Sequence, residues 1–183
     1  QVYGGLHKFY KINPDIAVFG KCLGNGHPIT AIVGNKKIMK YAQTSFISST
    51  FWSERSGYVA ALKTLEIMKR KKTWKTITKT GNEIKRKWEM LADKHNLKID
   101  TFGIPAICSF KFQSENSKKY ITFLTQEMLN NGILANNSVY VSIKHNKNIL
   151  SKYFKVLDEA FKKIGLCERK KLNINKMLKS KIF

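Results

Sequence analysis

Lys21 follows a short apolar run, Ile16-Ala17-Val18-Phe19-Gly20, and precedes the loop Gly24-Asn25-Gly26-His27-Pro28. A lysine amine attacks an aldehyde only when neutral, and apolar walls lower its pKa by disfavouring the ammonium form. Glycines beside it let the backbone pass close to a flat ring or a phosphate with no Cβ in the way. These residue types in this order suit Schiff-base chemistry, although a solvated turn lysine has the same neighbours. The loop is not a phosphate-binding GxxxxGK[ST] motif, because no lysine follows its second glycine. Gly24-Asn25-Gly26 also lacks the third glycine of a dinucleotide fingerprint. Ser48-Ser49-Thr50 offers three hydroxyls, suited either to a phosphate or to capping a helix.

Metal chemistry has no matching pattern, and no metal site is expected. Cys22, Cys108 and Cys167 are far apart and odd in number, without CxxC spacing. They read as reduced thiols of a cytoplasmic protein. His7, His27, His95 and His145 form no HxxxH or HExxH pair.

The elements that must position Lys21 follow from hydrophobic period. Ile16–Phe19 reads as a buried strand and Ala31-Ile32-Val33-Gly34 as a second, with the Gly/Pro loop between them. From Glu54 the period becomes helical, with Tyr58, Ala61, Leu62, Leu65 and Met68 on one face. After a break near Lys71-Lys72, a second stripe runs through Trp74, Ile77, Gly81, Ile84, Trp88 and Leu91. Cys108, Phe110 and Phe112 alternate as a half-buried strand requires. A helix over about residues 117–131 stops at Gly132, Val139–Ile143 is a further strand, and a last helix ends before Gly165. The tail after Cys167 is basic and aperiodic, and is expected to fray. The fold class is therefore α/β. The segments are 1–72, Gly-rich loops and strands ending in a helix and too small for a sheet of their own; 73–166, a compact α/β domain; and 167–183, a basic tail.

The formal charge is +22, from 34 basic and 12 acidic residues among 183. That invites a basic polyanion or nucleic-acid binding module as the alternative function. Thirty of the basic residues are lysine and only four are arginine, whereas base and phosphate readout leans on the arginine fork. A solvated lysine face is the favoured reading, so neither a nucleic acid nor a membrane is expected as a partner. No apolar run is long enough to cross a bilayer. The N-terminus has no signal-peptide character and no initiator Met, as expected of a chain that begins within a longer protein.

The lysine segment resembles the cofactor-lysine motif of class III aminotransferases, which are fold-type I enzymes dependent on pyridoxal phosphate (PLP). It is most similar to glutamate-1-semialdehyde aminomutase and its aminotransferase relatives. The matching elements are Pro14-Asp15, Ile16 to Phe19, Gly20-Lys21, Gly24 to Gly26, Pro28 and Ala31 to Gly34. Tyr3-Gly4-Gly5, Phe9-Tyr10, Ser49-Thr50-Phe51, Ala60-Ala61, Thr64 to Met68 and Gly132-Ile133-Leu134 fit as well.

The resemblance implies the end of a large PLP-binding domain followed by a small C-terminal α/β domain. It implies that Lys21 carries the cofactor and moves the proton at the substrate's α-carbon. Thr50, with Ser49 as a second hydroxyl, is implied to reach the cofactor phosphate of the neighbouring subunit in a homodimer. The implied reaction is transfer or migration of an amino group between a small-molecule amino donor and a carbonyl acceptor.

Where the family continues with Gly-Asn-Pro, this chain has Trp52-Ser53-Glu54-Arg55, which puts the substrate in doubt. Arg55 suits either a substrate carboxylate or an ordinary first helical turn, and Trp52 either lines the pocket or packs. The family's phosphate loop, stacking aromatic and pyridine-nitrogen aspartate precede the lysine segment, and Asp15 does not match that aspartate. The chain therefore reads as the C-terminal part of an enzyme, a catalytically incomplete fragment when alone.

Overall fold

The computed structural model describes residues 1–179. The chain divides into two compact units, Gln1–Lys75 and a second from Thr76 onward.

The first unit is built around a β-ribbon. A single helical turn, α1 (Leu6–Phe9), precedes β1 (Ile16–Phe19), which pairs antiparallel with β2 (Ala31–Gly34). Ile16 faces Gly34 and Phe19 faces Ala31 across the ladder. Residues 20–30 therefore form the connecting loop, and Lys21–Leu23 within it makes one 3-10 turn. A second short turn, α2 (Lys36–Met39), is capped by Asn35, whose side chain accepts from the Ile38 N–H. The long helix of the unit is α3 (Arg55–Lys71).

Ile16–Phe19 was expected to be buried and is not. Ile16 is 47% exposed and Val18 66%, and Ile32 and Val33 opposite are also exposed. No second layer of described residues in this unit covers the ribbon, and the apolar pattern by itself cannot report whether a cover exists. The expectation that the segment makes no sheet of its own is likewise replaced by this two-stranded ribbon. On α3 only Ala61 of the apolar stripe is buried, while Tyr58 and Leu62 lie open.

Lys72 separates α3 from α4 (Thr73–Lys94) by adopting left-handed backbone, φ +49°. The chain then forms β3 (Ile99–Phe102), β4 (Ile107–Phe112), α5 (Ser117–Asn130), β5 (Ser138–Tyr140), α6 (Lys147–Glu168) and the short α7 (Ile174–Met177). The three strands make an antiparallel sheet in the order β3-β4-β5. Cys108, Phe110 and Phe112 of β4 are buried, as their alternation requires.

The core joins these rings to Trp88 and Ile84 of α4, Tyr120, Phe123 and Leu124 of α5, and Leu157 and Phe161 of α6. Trp88 meets Phe110 edge-on at 4.9 Å, and Phe110 meets Phe161 at 5.7 Å, the geometry preferred by aromatic quadrupoles. The buried Trp88 Nε1–H donates to the Tyr153 hydroxyl at 2.8 Å, so neither polar group is left unpaired.

Three boundaries differ from the sequence expectation. β5 ends at Tyr140 because the Ser142 N–H turns to the ring Nδ1 of His145, although the Val141 N–H still reaches the Ala106 carbonyl. α6 does not stop before Gly165 but continues to Glu168. Gly165 is there for close approach, since a Cβ at this position would lie 2.5 Å from the His95 carbonyl oxygen. The tail docks rather than frays as far as Lys179. Ile174 is buried, Gln126 Nε2 donates to the Met177 carbonyl, and the Lys179 N–H donates to Gln126 Oε1. Residues 180–183 of the expected tail lie outside the described residues.

Candidate active site

The loop between β1 and β2 brings Lys21 to a cavity of about 480 Å³ within the first unit. Ser49, Phe51, Trp52, Glu54, Gly57 and Tyr58 line it from the segment that enters α3, and His27, Pro28, Ile29 and Thr30 from the loop itself. That volume is in the range of small-molecule sites.

Local sequence explains the shape of the loop. Gly24 is fully packed, and a Cβ there would collide with the His27 carbonyl oxygen and approach Ile29 Cγ2 at 2.8 Å. The His27 N–H closes the turn onto the Gly24 carbonyl at 3.2 Å. Gly26, at φ +111°, stands where side chains are strained.

Lys21 itself has φ +47°, a left-handed conformation that costs a non-glycine residue on the order of 1 kcal/mol. Asn25 shares it, at φ +47°. Such outliers concentrate at functional sites, where surrounding structure over-determines them. The Lys21 side chain is exposed. The apolar walls expected from the preceding run do not enclose it, because Ile16 and Val18 are themselves open.

The entry to α3 is built by Glu54, not by the hydroxyl triplet. Its carboxylate accepts from the N–H groups of Ser56, at 2.9 Å, and Gly57, at 3.2 Å. Ser48-Ser49-Thr50 is therefore not a helix cap, and its hydroxyls make none of the contacts that one would require. Ser49 lines the cavity, whereas Thr50 is exposed beside it and is not one of the lining residues. Arg55 is the first residue of α3 and does not line the cavity; Trp52 does. The Trp52 carbonyl accepts from the Tyr58 hydroxyl at 2.8 Å, which fixes the turn between the two rings.

Glu54 also accepts from the Ser56 hydroxyl at 2.5 Å, and the His27 ring Nδ1 lies 3.4 Å from the same hydroxyl oxygen. Hydrogen bonding by the Ser56 hydroxyl holds the Glu54 carboxyl below its ordinary range, with the two backbone N–H bonds acting the same way. Sequence reasoning did not assign His27, Thr30 or Tyr58 to the site, and read Tyr58 only as part of the apolar stripe of α3. The signal for His27 was its place inside the Gly-rich loop one residue before Pro28.

Asp15 takes no part in the cavity. Its carboxylate accepts from Asn35 Nδ2 at 2.6 Å, which ties the start of β1 to the cap of α2. Among the described residues no cluster of His, Cys, Asp and Glu has the form of a metal site. An amine, neighbouring hydroxyls and three aromatic faces around one cavity make a set suited to a flat aldehyde bearing a phosphate.

Comparison with known proteins decides the family. The model of the aminotransferase class-III family matches residues 3–148. This chain belongs to the class-III aminotransferase family. Within it, the 3-aminobutyryl-CoA aminotransferase of Cloacimonas acidaminovorans is 30% identical over 124 residues, covering 67% of this chain and 30% of that protein. A glutamate-1-semialdehyde 2,1-aminomutase of Methanococcus maripaludis is 27% identical over 179 residues, 88% of this chain and 42% of that protein. Among solved structures, the FumI protein of Sphingopyxis sp. MTA144, in its PLP internal aldimine form, superposes with a TM-score of 0.81. It is 22% identical, and the match covers 93% of this chain and 41% of FumI. The fold is thus that of the family's transaminases, and the chain spans less than half the length of these relatives.

Proposed function

We propose that this chain supplies the cofactor lysine and the small C-terminal domain of a PLP-dependent aminotransferase or aminomutase, with Lys21 as that lysine. The observation that carries the reading is the placement of Lys21, in strained backbone, at the edge of a cavity with hydroxyl and aromatic walls. The residues present fit part of the cofactor. The Lys21 amine suits its aldehyde, Ser49 and Thr30 offer hydroxyls to an anion, and Phe51, Trp52 and Tyr58 offer flat faces. The one lining carboxylate, Glu54, is committed to the α3 backbone and does not suit a pyridine nitrogen. Bound there, PLP supplies the electron sink that acidifies the substrate's α-carbon.

The residues of this chain then have definite tasks. With the cofactor bound, the Lys21 Nζ would take the proton from the donor's α-carbon and hold it for delivery to the acceptor carbon. Thr50, exposed beside the cavity and outside its lining, reaches the cofactor phosphate of a neighbouring subunit in a homodimer. Its position is consistent with such a reach and with no role in its own cavity. The small-molecule partners are an amino donor and a carbonyl acceptor. The three unpaired thiols suit a reducing, cytoplasmic setting, and no described helix is long and apolar enough to cross a membrane.

Borohydride reduction of the PLP-treated full-length protein, followed by peptide mass mapping, tests the reading. A pyridoxyl adduct on Lys21, lost in Lys21→Ala, is the expected result. Labelling scattered over surface lysines, with Lys21 unmodified, overturns it.

A further inference from the structure

His27 lies in the wall of the Lys21 cavity, and its ring is held from one side by a short polar chain. Glu54 accepts two backbone N–H bonds as the cap of α3, so its carboxylate is ionised and fixed in place. A carboxylate only accepts, so the single Ser56 hydroxyl proton is committed to Glu54 Oε2 at 2.5 Å. The hydroxyl oxygen then has only lone pairs to offer His27, whose Nδ1 stands 3.4 Å away. Nδ1 must therefore carry the hydrogen of the neutral ring, and Nε2 is left with a free lone pair. This is the reverse of the tautomer that donates from Nε2. The hydrogen bond is long, as such contacts often are before a ligand tightens them.

We propose that His27 is a proton acceptor for the amino donor, fixed in its Nδ1–H tautomer by Ser56 and Glu54 as positioning residues. The inference rests on the cavity's being the amino-transfer site. An amino donor arrives at neutral pH as an ammonium ion, which has no lone pair and cannot attack a carbonyl carbon. At His27 one ammonium N–H bond breaks, its electron pair stays on the donor nitrogen, and the proton forms a bond with Nε2. The products are a neutral amine, now nucleophilic, and an imidazolium whose Nδ1–H points through Ser56 toward the Glu54 carboxylate. That negative charge stabilises the imidazolium through one intervening hydroxyl, and the proton can return to the leaving amine when the cycle closes. Lys21 is thereby left free for the α-carbon proton.

The test uses the full-length protein labelled with 15N in its histidine rings, with the His27 signals assigned by their loss in His27→Gln. The expected spectrum of the neutral ring has a protonated Nδ1 and an unprotonated Nε2, and Ser56→Ala shifts it toward the Nε2–H form. An Nε2–H ring in the unaltered protein, or no response to Ser56→Ala, overturns the proposal. In single turnovers with an amino donor, His27→Gln is expected to slow the reaction by about 100-fold. Added imidazole should restore part of that rate, which a merely structural loss would not allow. An unchanged rate in His27→Gln, with Lys21 still labelled by PLP and borohydride, defeats the role of His27 alone. Failure to label Lys21 instead defeats the reading on which it rests.

Discussion

Asp158 shows how single residues carry charge across the second unit. Its carboxylate accepts from Lys94 Nζ at 2.7 Å and faces His95 Nε2 at 2.6 Å, tying the end of α4 to α6. Burial pushes its pKa up, but the hydrogen bonds from Lys94 and His95 outweigh that and leave it below 3.8. A carboxylate whose folded pKa is depressed adds stability above its unfolded pKa and loses it as pH falls through the folded value. Asp158→Asn is therefore expected to lower stability at neutral pH by about 1 kcal/mol, given partial exposure. The difference from the unaltered protein should shrink as pH falls through the depressed folded pKa of Asp158, as read by denaturant unfolding at a series of pH values. An equal deficit at every pH would assign the loss to packing instead.

At the same scale, Lys21 stood out because its flanking strand and glycines form a recognisable motif, and the fold places it at a cavity. The neighbours of His27 were not legible, because Ser56 and Glu54 are remote from it in sequence and meet it only through the fold.

Among the elements, α4 and β4 were read correctly since their apolar periods of 3.6 and 2 are unbroken. The end of α6 was misread for a physical reason. Glycine after a helical stripe usually signals a left-handed stop. Gly132 is such a stop at φ +69°, with the Ile133 N–H closing onto the Met128 carbonyl at 2.9 Å. Gly165 is helical, and its missing side chain is required by the His95 carbonyl instead. Sequence pattern does not distinguish a glycine kept for its dihedrals from one kept for space. Gly165→Ala should consequently cost roughly 1–3 kcal/mol, as overpacking does, despite alanine's better helix propensity. Chemical denaturation would measure it, and a stabilised variant would show that α6 can move away from His95.

For the molecule as a whole, the buried hydrophobic residues fall almost entirely from Ile84 onward, with Ala61 the one such residue before it among those described. Hydrogen exchange is therefore expected to be slowest in α4, β4, α5 and α6, and fastest at the β1–β2 ribbon. Protection of β1 equal to that of β4 would refute this ordering. The α/β class and the order of the long helices were legible, whereas β3 and the short helices α1, α2 and α7 were not read. The openness of the first unit was not, because an apolar strand reads alike whether it is covered or bare.

That bare ribbon bears on how the protein behaves whenever nothing covers it. Ile16, Val18, Ile32 and Val33 are open to solvent on strands whose outer edges carry unpaired amide groups. Such a surface recruits strands from other molecules. During synthesis, or in any form that leaves the ribbon uncovered, the protein should need a chaperone and precipitate as its concentration rises, whatever repulsion its charge of +22 provides.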